Sequence, residues 1–393
     1  MTGTQRSERV RVHRGHTRLV LSAIRAAGEL SRAQAAEVTG LHIMTVGRVA
    51  EELIERGFLQ EREKEGGSQV GRPPRLLRLR ESSLVCAGMF LERNMLHLGL
   101  ISPSGQLCAY TGIPVPEGTF APERITPWMA DSLALFLKEH AGLSPRGAVG
   151  VAAPGILDIT RGEIVFSANL YWERVPLLPV LRERLPGYDF IFENDVKAAA
   201  IAEYRFGGLG NCRNVVVLSI GNGIGAAVIL DGKLYRGRNN MAGEIGHITI
   251  NPAGKICACG KVGCLQTYLT PGALLTEVQV LHPDITIPEL FALFHKGDPF
   301  VSALINRTAE YICFAINLLA NAYAPEIILL RGNLLQQGPA LKQLVVDTYR
   351  NKLNWYMTDA FQLRFEQMGG RSPLIGAGSL ALDRELDRLC GVE

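Results

Sequence analysis

Ala242-Gly-Glu-Ile-Gly-His247, followed by Cys257-Ala-Cys259-Gly-Lys-Val-Gly-Cys264, is the stretch on which the reading of this chain turns. One imidazole and three thiolates make a Cys3His set, the closed tetrahedral donor set of structural zinc sites. Gly260 and Gly263 let the loop curl around an ion. Four protein donors leave no open position for water, so the metal expected at His247, Cys257, Cys259 and Cys264 is a structural Zn2+. The histidine has a second ring nitrogen to offer, and a metal on one nitrogen would fix how the other meets a ligand. The eight cysteines of the chain are not spaced as a disulfide framework.

Working outward, Glu244 and His247 stand three apart and can converge on one ligand, although such a pair is common by chance. Upstream, Gly221-Asn-Gly-Ile-Gly225 lies between two strand-like runs, Val215–Ile220 and Ala226–Leu230, with a hairpin signal at Asp231-Gly232. A glycine-rich turn after a strand can present amides to phosphate, or it can be a turn and nothing more. Glu193-Asn-Asp195 ends another strand-like run before a helix. A carboxylate there can act as a base on a hydroxyl or cap the helix, and the cap is the simpler reading. Further strand signals at Ala148–Ala152, Phe190–Phe192 and Glu326–Leu330 alternate with helical segments such as Arg124–His140, Val196–Phe206 and Val301–Tyr323. That mixture indicates α/β layers. The helix around 308–322 is apolar enough for core or for an interface between copies.

The first eighty residues read differently. Val20, Ile24 and Ala27 line one helix, and Gly28 ends it. Ser31-Arg-Ala-Gln34 is a capping box that opens a second, short helix. Thr39-Gly-Leu41 is a turn. In a third helix, His42 to Arg56, Val46, Val49, Ala50 and Leu53 form the buried stripe. Met44, Thr45, Gly47 and Arg48 then face outward at its start, the part of a helix-turn-helix that enters the major groove. Gly47 inside a helix costs about 1 kcal/mol relative to Ala, which close approach to DNA or simple tolerance explains. Two strand-like runs, Phe58–Arg62 and Leu76–Arg80, flank a glycine-rich segment ending in Gly71-Arg-Pro-Pro74. It reads as a wing whose Arg72 suits a narrow minor groove, or as an interdomain linker.

At 393 residues two or three domains are expected. The charge is uneven: residues 1–80 carry fifteen Lys/Arg against nine Asp/Glu, while the rest holds 26 against 29 of the total 41 and 38. A basic head on a slightly acidic body suits nucleic-acid binding beside a separate regulatory part, though a solvated basic surface gives the same count. Residues 1–18 have no apolar core of a secretory signal. The apolar stretch near Val215–Leu230 is broken by glycines and does not look membrane-spanning, so a cytoplasmic chain is expected.

Together these motifs resemble the ROK family, named for repressors, open reading frames and sugar kinases, over nearly the whole chain. The head with its Gly-Arg-Pro wing looks like the repressor branch, the NagC and xylose-repressor type. The resemblance implies an α/β chain: a winged helix-turn-helix, residues 1–82, followed by a two-lobed actin-like, ribonuclease-H-like sugar-kinase (ATPase) fold, with a small lobe 83–195 and a large lobe 196–393. It implies a sugar in the cleft, bound by Asn169, Asn194, Asp195, Glu244 and His247. In the family's kinases the position matching Asp195 is the catalytic base. The family's motif usually ends Gly-Cys-x-Glu, where this chain has Gln266, which keeps hydrogen bonding but not charge and is either a sugar contact or a structural one.

The departures argue against phosphoryl transfer. ROK kinases open the small lobe with Asp-x-Gly-Gly-Thr. Here the matching stretch is Phe90-Leu-Glu-Arg-Asn94, without the glycines. Asn222 stands where kinases have Thr, and Arg331 precedes Gly332 where a small residue is usual. Phosphoryl transfer depends on positioning and electrostatic support of the phosphates, and losing the first loop removes much of both. The expected function is therefore a sugar-responsive transcriptional repressor, not an enzyme. Its partners would be double-stranded operator DNA, a sugar or sugar-phosphate effector, and another copy in a dimer or tetramer. The alternatives are a ROK sugar kinase with an appended head, and a repressor answering to a protein partner.

Overall fold

The computed structural model describes residues 3–63, 75–352 and 360–391. By its internal contacts the chain forms two compact units, each made of discontinuous segments: residues 1–152, 176–193 and 374–393, and residues 153–175 and 194–373.

The first unit begins with the head. Helix α1 (Gly3–Ala27) leads into strand β1 (Glu29–Ser31), α2 (Arg32–Thr39) and α3 (Ile43–Glu55). The capping box forms as read: Gln34 N–H donates to Ser31 Oγ at 3.2 Å, and Ser31 N–H donates to Gln34 Oε1 at 2.9 Å. Gly40 takes the left-handed conformation that ends α2. Val46, Val49, Ala50 and Leu53 are the buried stripe of α3. Strands β2 (Leu59–Glu63) and β3 (Arg75–Leu79) are antiparallel, and β1, which the sequence did not announce, adds to β3 to complete a three-stranded sheet. The segment between β2 and β3, with Arg72, lies outside the described residues.

Strands β4 (Cys86–Leu91), β5 (Met95–Ile101) and β6 (Leu107–Pro114), helix α4 (Pro122–Glu139) and strand β7 (Ala148–Ala153) follow. The chain visits the second unit through β8 (Ile156–Asp158), β9 (Glu163–Ser167) and β10 (Trp172–Pro176). It returns for α5 (Leu178–Arg184) and β11 (Asp189–Asn194). The first unit's sheet runs β11-β7-β4-β5-β6.

A row of glycines crosses this sheet: Gly150 of β7 is in register with Gly88 of β4, which pairs with Gly99 of β5. The last helix of the chain lies in the groove they make. A Cβ on Gly150 would stand 1.8 Å from the carbonyl oxygen of Ala377, and one on Gly88 2.5 Å from that of Leu374. The helix backbone therefore sits directly on the sheet backbone, an approach open only to glycine.

The second unit holds α6 (Asp195–Phe206), then β12 (Val215–Ile220), β13 (Ile224–Leu230) and β14 (Lys233–Tyr235). Five helices come next: α7 (Gln266–Leu269), α8 (Pro271–Val278), α9 (Ile287–His295), α10 (Pro299–Tyr323) and, after β15 (Ile327–Arg331), α11 (Asn333–Gln337). Helix α12 (Pro339–Lys352) and strand β16 (Gln362–Phe365) precede α13 (Ser372–Leu389), the helix that lies on the glycine row. The sheet order is β14-β13-β12-β15-β16, with β12, β15 and β16 parallel.

Every residue of β12 is buried, as expected of a strand covered on both faces. Val216, Leu218 and Ile220 share a cluster with Ile305, Ile312 and Ile316 of α10, while Val215 and Val217 join Ala200 of α6. The apolar helix around 308–322 is thereby assigned to the core of this unit. Asp231 and Gly232 both take positive φ, as the hairpin signal requires. No helix among the described residues is long and apolar enough to cross a membrane.

The units divide the chain otherwise than the contiguous 1–82, 83–195 and 196–393: residues 1–82 fall in one unit with 83–152, and residues 194–195 fall in the second unit. Residues 153–175 belong with the second unit, and residues 374–393 leave the expected C-terminal lobe for the first. The physical reason that residues 374–393 belong to the first unit is the glycine row, which seats α13 closely on that unit's sheet.

Candidate functional site

Strand β11 ends at Asn194, and α6 begins there. Asn194 Oδ1 accepts from the amides of Val196 and Lys197 at 3.0 and 3.1 Å, and its Nδ2 donates to the carbonyl of Gly155 at 3.0 Å and to Asp195 Oδ1 at 3.1 Å. The helix cap is thus the Asn194 amide, not a carboxylate. Asp195 is half-buried at the first helical position, beside the positive end of the helix.

Glu244 lies at the end of the 237–244 segment. Gly243 makes its close turn possible: φ is 95°, and a Cβ would stand 1.8 Å from the Ala226 carbonyl oxygen. Burial pushes the Glu244 carboxyl above the ordinary range, Lys197 pulls it down, and Asp195 pushes it up. Two carboxylates and a buried ammonium therefore act on one another in this part of the second unit. Asn169 belongs to the same unit, its Nδ2 2.8 Å from where a Cβ of Gly223 would be, so that its side chain rests on the 221–225 turn.

Glu244 runs directly into the short turn Ile245–His247, and from there into the cysteine loop. That loop is a narrow hairpin with isolated bridges Thr249↔Cys264 and Ile256↔Val262. Gly263 takes φ 74° against the Asn251 carbonyl, where a Cβ would be 1.7 Å away. The donor atoms of His247, Cys257, Cys259 and Cys264 all lie within 4.8 Å of one another. Cys259 Sγ is 3.7 Å from Cys264 Sγ, and Cys257 Sγ is 3.8 Å from His247 Nδ1. A tetrahedron with metal–sulfur bonds of about 2.3 Å has edges of roughly 3.8 Å, so the four donors have the spacing of a single metal ion.

Burial and the Lys261 charge hold His247 below the ordinary imidazole range, which favours the neutral, ligating form. Burial and the neighbouring sulfurs push Cys264 up to about 12. Burial also opposes ionisation of Cys259, but hydrogen bonds from the Lys261 amide and the two other cysteines outweigh it and bring that thiol below its usual range.

Gln266, the first residue of α7, donates from Nε2 to Cys257 Sγ at 3.1 Å. Its side chain is thus in contact with the cysteine loop. Sequence reasoning missed Lys197, buried on α6. The signal was present: a lone cation in Val196-Lys-Ala-Ala-Ala-Ile-Ala202, a segment otherwise apolar.

In the head, Met44 is 73% exposed, Arg48 is exposed, and Thr45 and Gly47 are half-buried. Ile43 and His42 are exposed as well, because the first turn of α3 projects beyond the core that buries Val46. The Arg32 guanidinium passes over Gly47, 3.6 Å from where a Cβ would be, held by Glu51 and Glu61 at 3.1 and 2.9 Å.

The profile of the ROK family matches residues 107–384. The chain belongs to the ROK family. Relatives align along almost its full length. The xylose repressor of Caldicellulosiruptor bescii is 27% identical over 386 residues, covering 93% of this chain and 94% of that protein. The Escherichia coli DNA-binding transcriptional dual regulator NagC is 28% identical over 325 residues, covering 80% of this ROK chain and 79% of its own. A solved ROK family transcriptional regulator, described as a homolog of the E. coli MLC protein, superposes with a TM-score of 0.79 at 24% identity, over 97% of this chain and 99% of that one. The expected fold is borne out: an α/β, actin-like ROK body preceded by a helical head. These three carry the names of repressors and regulators, whereas a ROK hexokinase from Thermus thermophilus superposes with a TM-score of 0.66 at 28% identity, over 78% of this chain and 100% of that one.

Proposed function

We propose that this ROK chain is a sugar-responsive transcriptional repressor that acts on operator DNA in the cytoplasm. The observation that carries the reading is the capped helix-turn-helix, with the start of α3 presenting Met44, Thr45 and Arg48, joined in one chain to a ROK body. Arg48 would contact guanine or phosphate, and Met44 a thymine methyl group. Arg72 would enter the minor groove from the wing. Two heads on a symmetric dimer would read a palindrome, since two-fold symmetry in the protein matches dyads in DNA. The sugar shifts DNA affinity only by the difference in its affinity for the two conformations of the protein.

The sugar site is assigned to Asp195, Glu244 and Asn169, with Asn194 placing Asp195 and His247 linking the site to the metal. His247, Cys257, Cys259 and Cys264 would hold zinc, which when bound supplies a rigid, closed cross-link of the loop. Gln266 supports that centre through Cys257. Phosphoryl transfer is not proposed. Where ROK kinases have a glycine loop, Glu92-Arg-Asn94 forms a tight turn closed by Glu92 N–H donating to the Met95 carbonyl at 2.8 Å. Before Gly332, Arg331 is buried, 3.5 Å from the Glu366 carboxylate.

The test is a binding assay on DNA from the gene's own upstream region with excess non-specific competitor, comparing wild type with Arg48→Ala and Met44→Ala. Competitor-resistant binding weakened by both changes, and altered by D-xylose or N-acetylglucosamine, supports the reading. Binding that is strongly salt-dependent and indifferent to both changes sinks it, as does sugar-dependent ATP consumption abolished by Asp195→Asn.

A further inference from the structure

Lys197 stands two residues beyond Asp195 and is 1% exposed. Lysine is almost never fully buried unless its ammonium is paired. Its Nζ donates to the main-chain carbonyl of Asn240, 43 residues further on. Asn240 is itself buried and belongs to the turn Arg238–Asn240, just ahead of Glu244.

That turn has an uncommon backbone. Asn239 and Asn240 take φ of 54° and 59°, consecutive non-glycine residues in the left-handed region, between Gly237 at 63° and Gly243 at 95°. Such conformations persist where the surroundings over-determine them, and they gather at ligand sites. One restraint is Gly243 against Ala226. Another comes from α6, through the Lys197 ammonium. The same ammonium acts on the Glu244 carboxyl, as does Asp195 from the first position of α6.

We propose that Lys197 is a positioning residue of the ligand site: by holding the Asn240 carbonyl it fixes the left-handed turn that sets Glu244 against Asp195. This rests on the sugar-site reading above. A lysine does what a neutral side chain of the same length does not. It reaches a main-chain carbonyl from inside an apolar helix face, and it offsets charge between two carboxylates. The two halves of the site, one on α6 and one on the 237–244 segment, are far apart in sequence, and this ammonium joins them.

The experiment is hydrogen–deuterium exchange of the full chain, wild type against Lys197→Met and Lys197→Arg. It is read beside calorimetric binding of D-xylose and N-acetylglucosamine and the thermal midpoint. For Lys197→Met, amides in 237–244 should exchange about tenfold faster while β12 is unchanged. The sugar that binds wild type should bind about tenfold more weakly. Lys197→Arg, which keeps charge and donors, should restore most of both. Should Lys197→Met not fold, Lys197→Gln, which keeps an N–H donor, is read the same way. Unchanged exchange in 237–244 overturns the inference, as does acceleration spread over the whole unit that Arg does not rescue, or faster exchange with undiminished affinity. If wild type binds neither sugar, the sugar reading fails instead, and the exchange of 237–244 still decides whether Lys197 holds the turn.

Discussion

The guanidinium of Arg25 in the head is buried against Ser379 of α13, donating to its hydroxyl at 2.8 Å and to its carbonyl at 3.1 Å. It also pairs with Asp383, and two turns earlier on α1, Arg18 pairs with Asp387 at 2.8 Å. The last helix therefore holds the first. Arg25→Met should cost about 1–2 kcal/mol in urea unfolding, since the Ser379 and Asp383 acceptors lose their buried donor. A double-mutant cycle with Asp383→Asn should return a coupling of about 0.5–3 kcal/mol. Strict additivity would show that the contact does not hold the helices together.

The glycine row makes a sharper prediction. At Gly150 the added methyl would overlap the Ala377 carbonyl, and no side chain is there to yield. Gly150→Ala should destabilise by about 3 kcal/mol, the upper end for overpacking. Gly142→Ala, where a Cβ meets nothing within 4 Å, should stay within about 0.5 kcal/mol of wild type. Equal denaturation midpoints for the two variants would contradict the seating of α13.

Gln266 donates to a sulfur that would be a metal-bound thiolate. Gln266→Glu replaces that donor by a charge of the same sign as the thiolate. Zinc affinity, measured by competition with a chromophoric chelator, should fall about tenfold, the scale of lost outer-shell contacts to metal ligands. Cys264→Ser should abolish binding of the ion, while Cys313→Ser, buried in α10 away from the loop, should retain one zinc per chain. Unchanged affinity in Gln266→Glu would assign the side chain elsewhere.

Glu203 of α6 is fully buried and accepts from the amides of Met368 and Gln367 at 3.0 and 3.3 Å. Burial raises its carboxyl above the ordinary range, and those two hydrogen bonds recover only part. The folded value therefore exceeds the unfolded one. The group's contribution is present below the unfolded value, near 4.5, and is lost as pH rises through the folded value. Glu203→Gln should flatten the fall in urea midpoint as pH rises above the unfolded value, near 4.5. A wild-type slope retained in the variant would locate the pH dependence in other groups.

Much of this protein was legible in the sequence because the determinants are local. The capping box Ser31–Gln34 needs only three residues of spacing. The stripe Val46, Val49, Ala50, Leu53 follows from helical periodicity, and the continuous apolar run of β12 from burial on both faces. His247, Cys257, Cys259 and Cys264 converge because one short, glycine-bent hairpin carries all four. The tertiary structure decided what depends on segments distant along the chain. It sent α13 back to the first unit, where Gly88, Gly99 and Gly150, unremarkable one by one, fall into register as a groove. It gave the α6 cap to Asn194, turned Gln266 toward Cys257, and buried Lys197 beneath Asn240. Hydrogen bonds and backbone contacts of this kind join residues through space, and periodicity along the chain does not encode which distant partner each side chain meets.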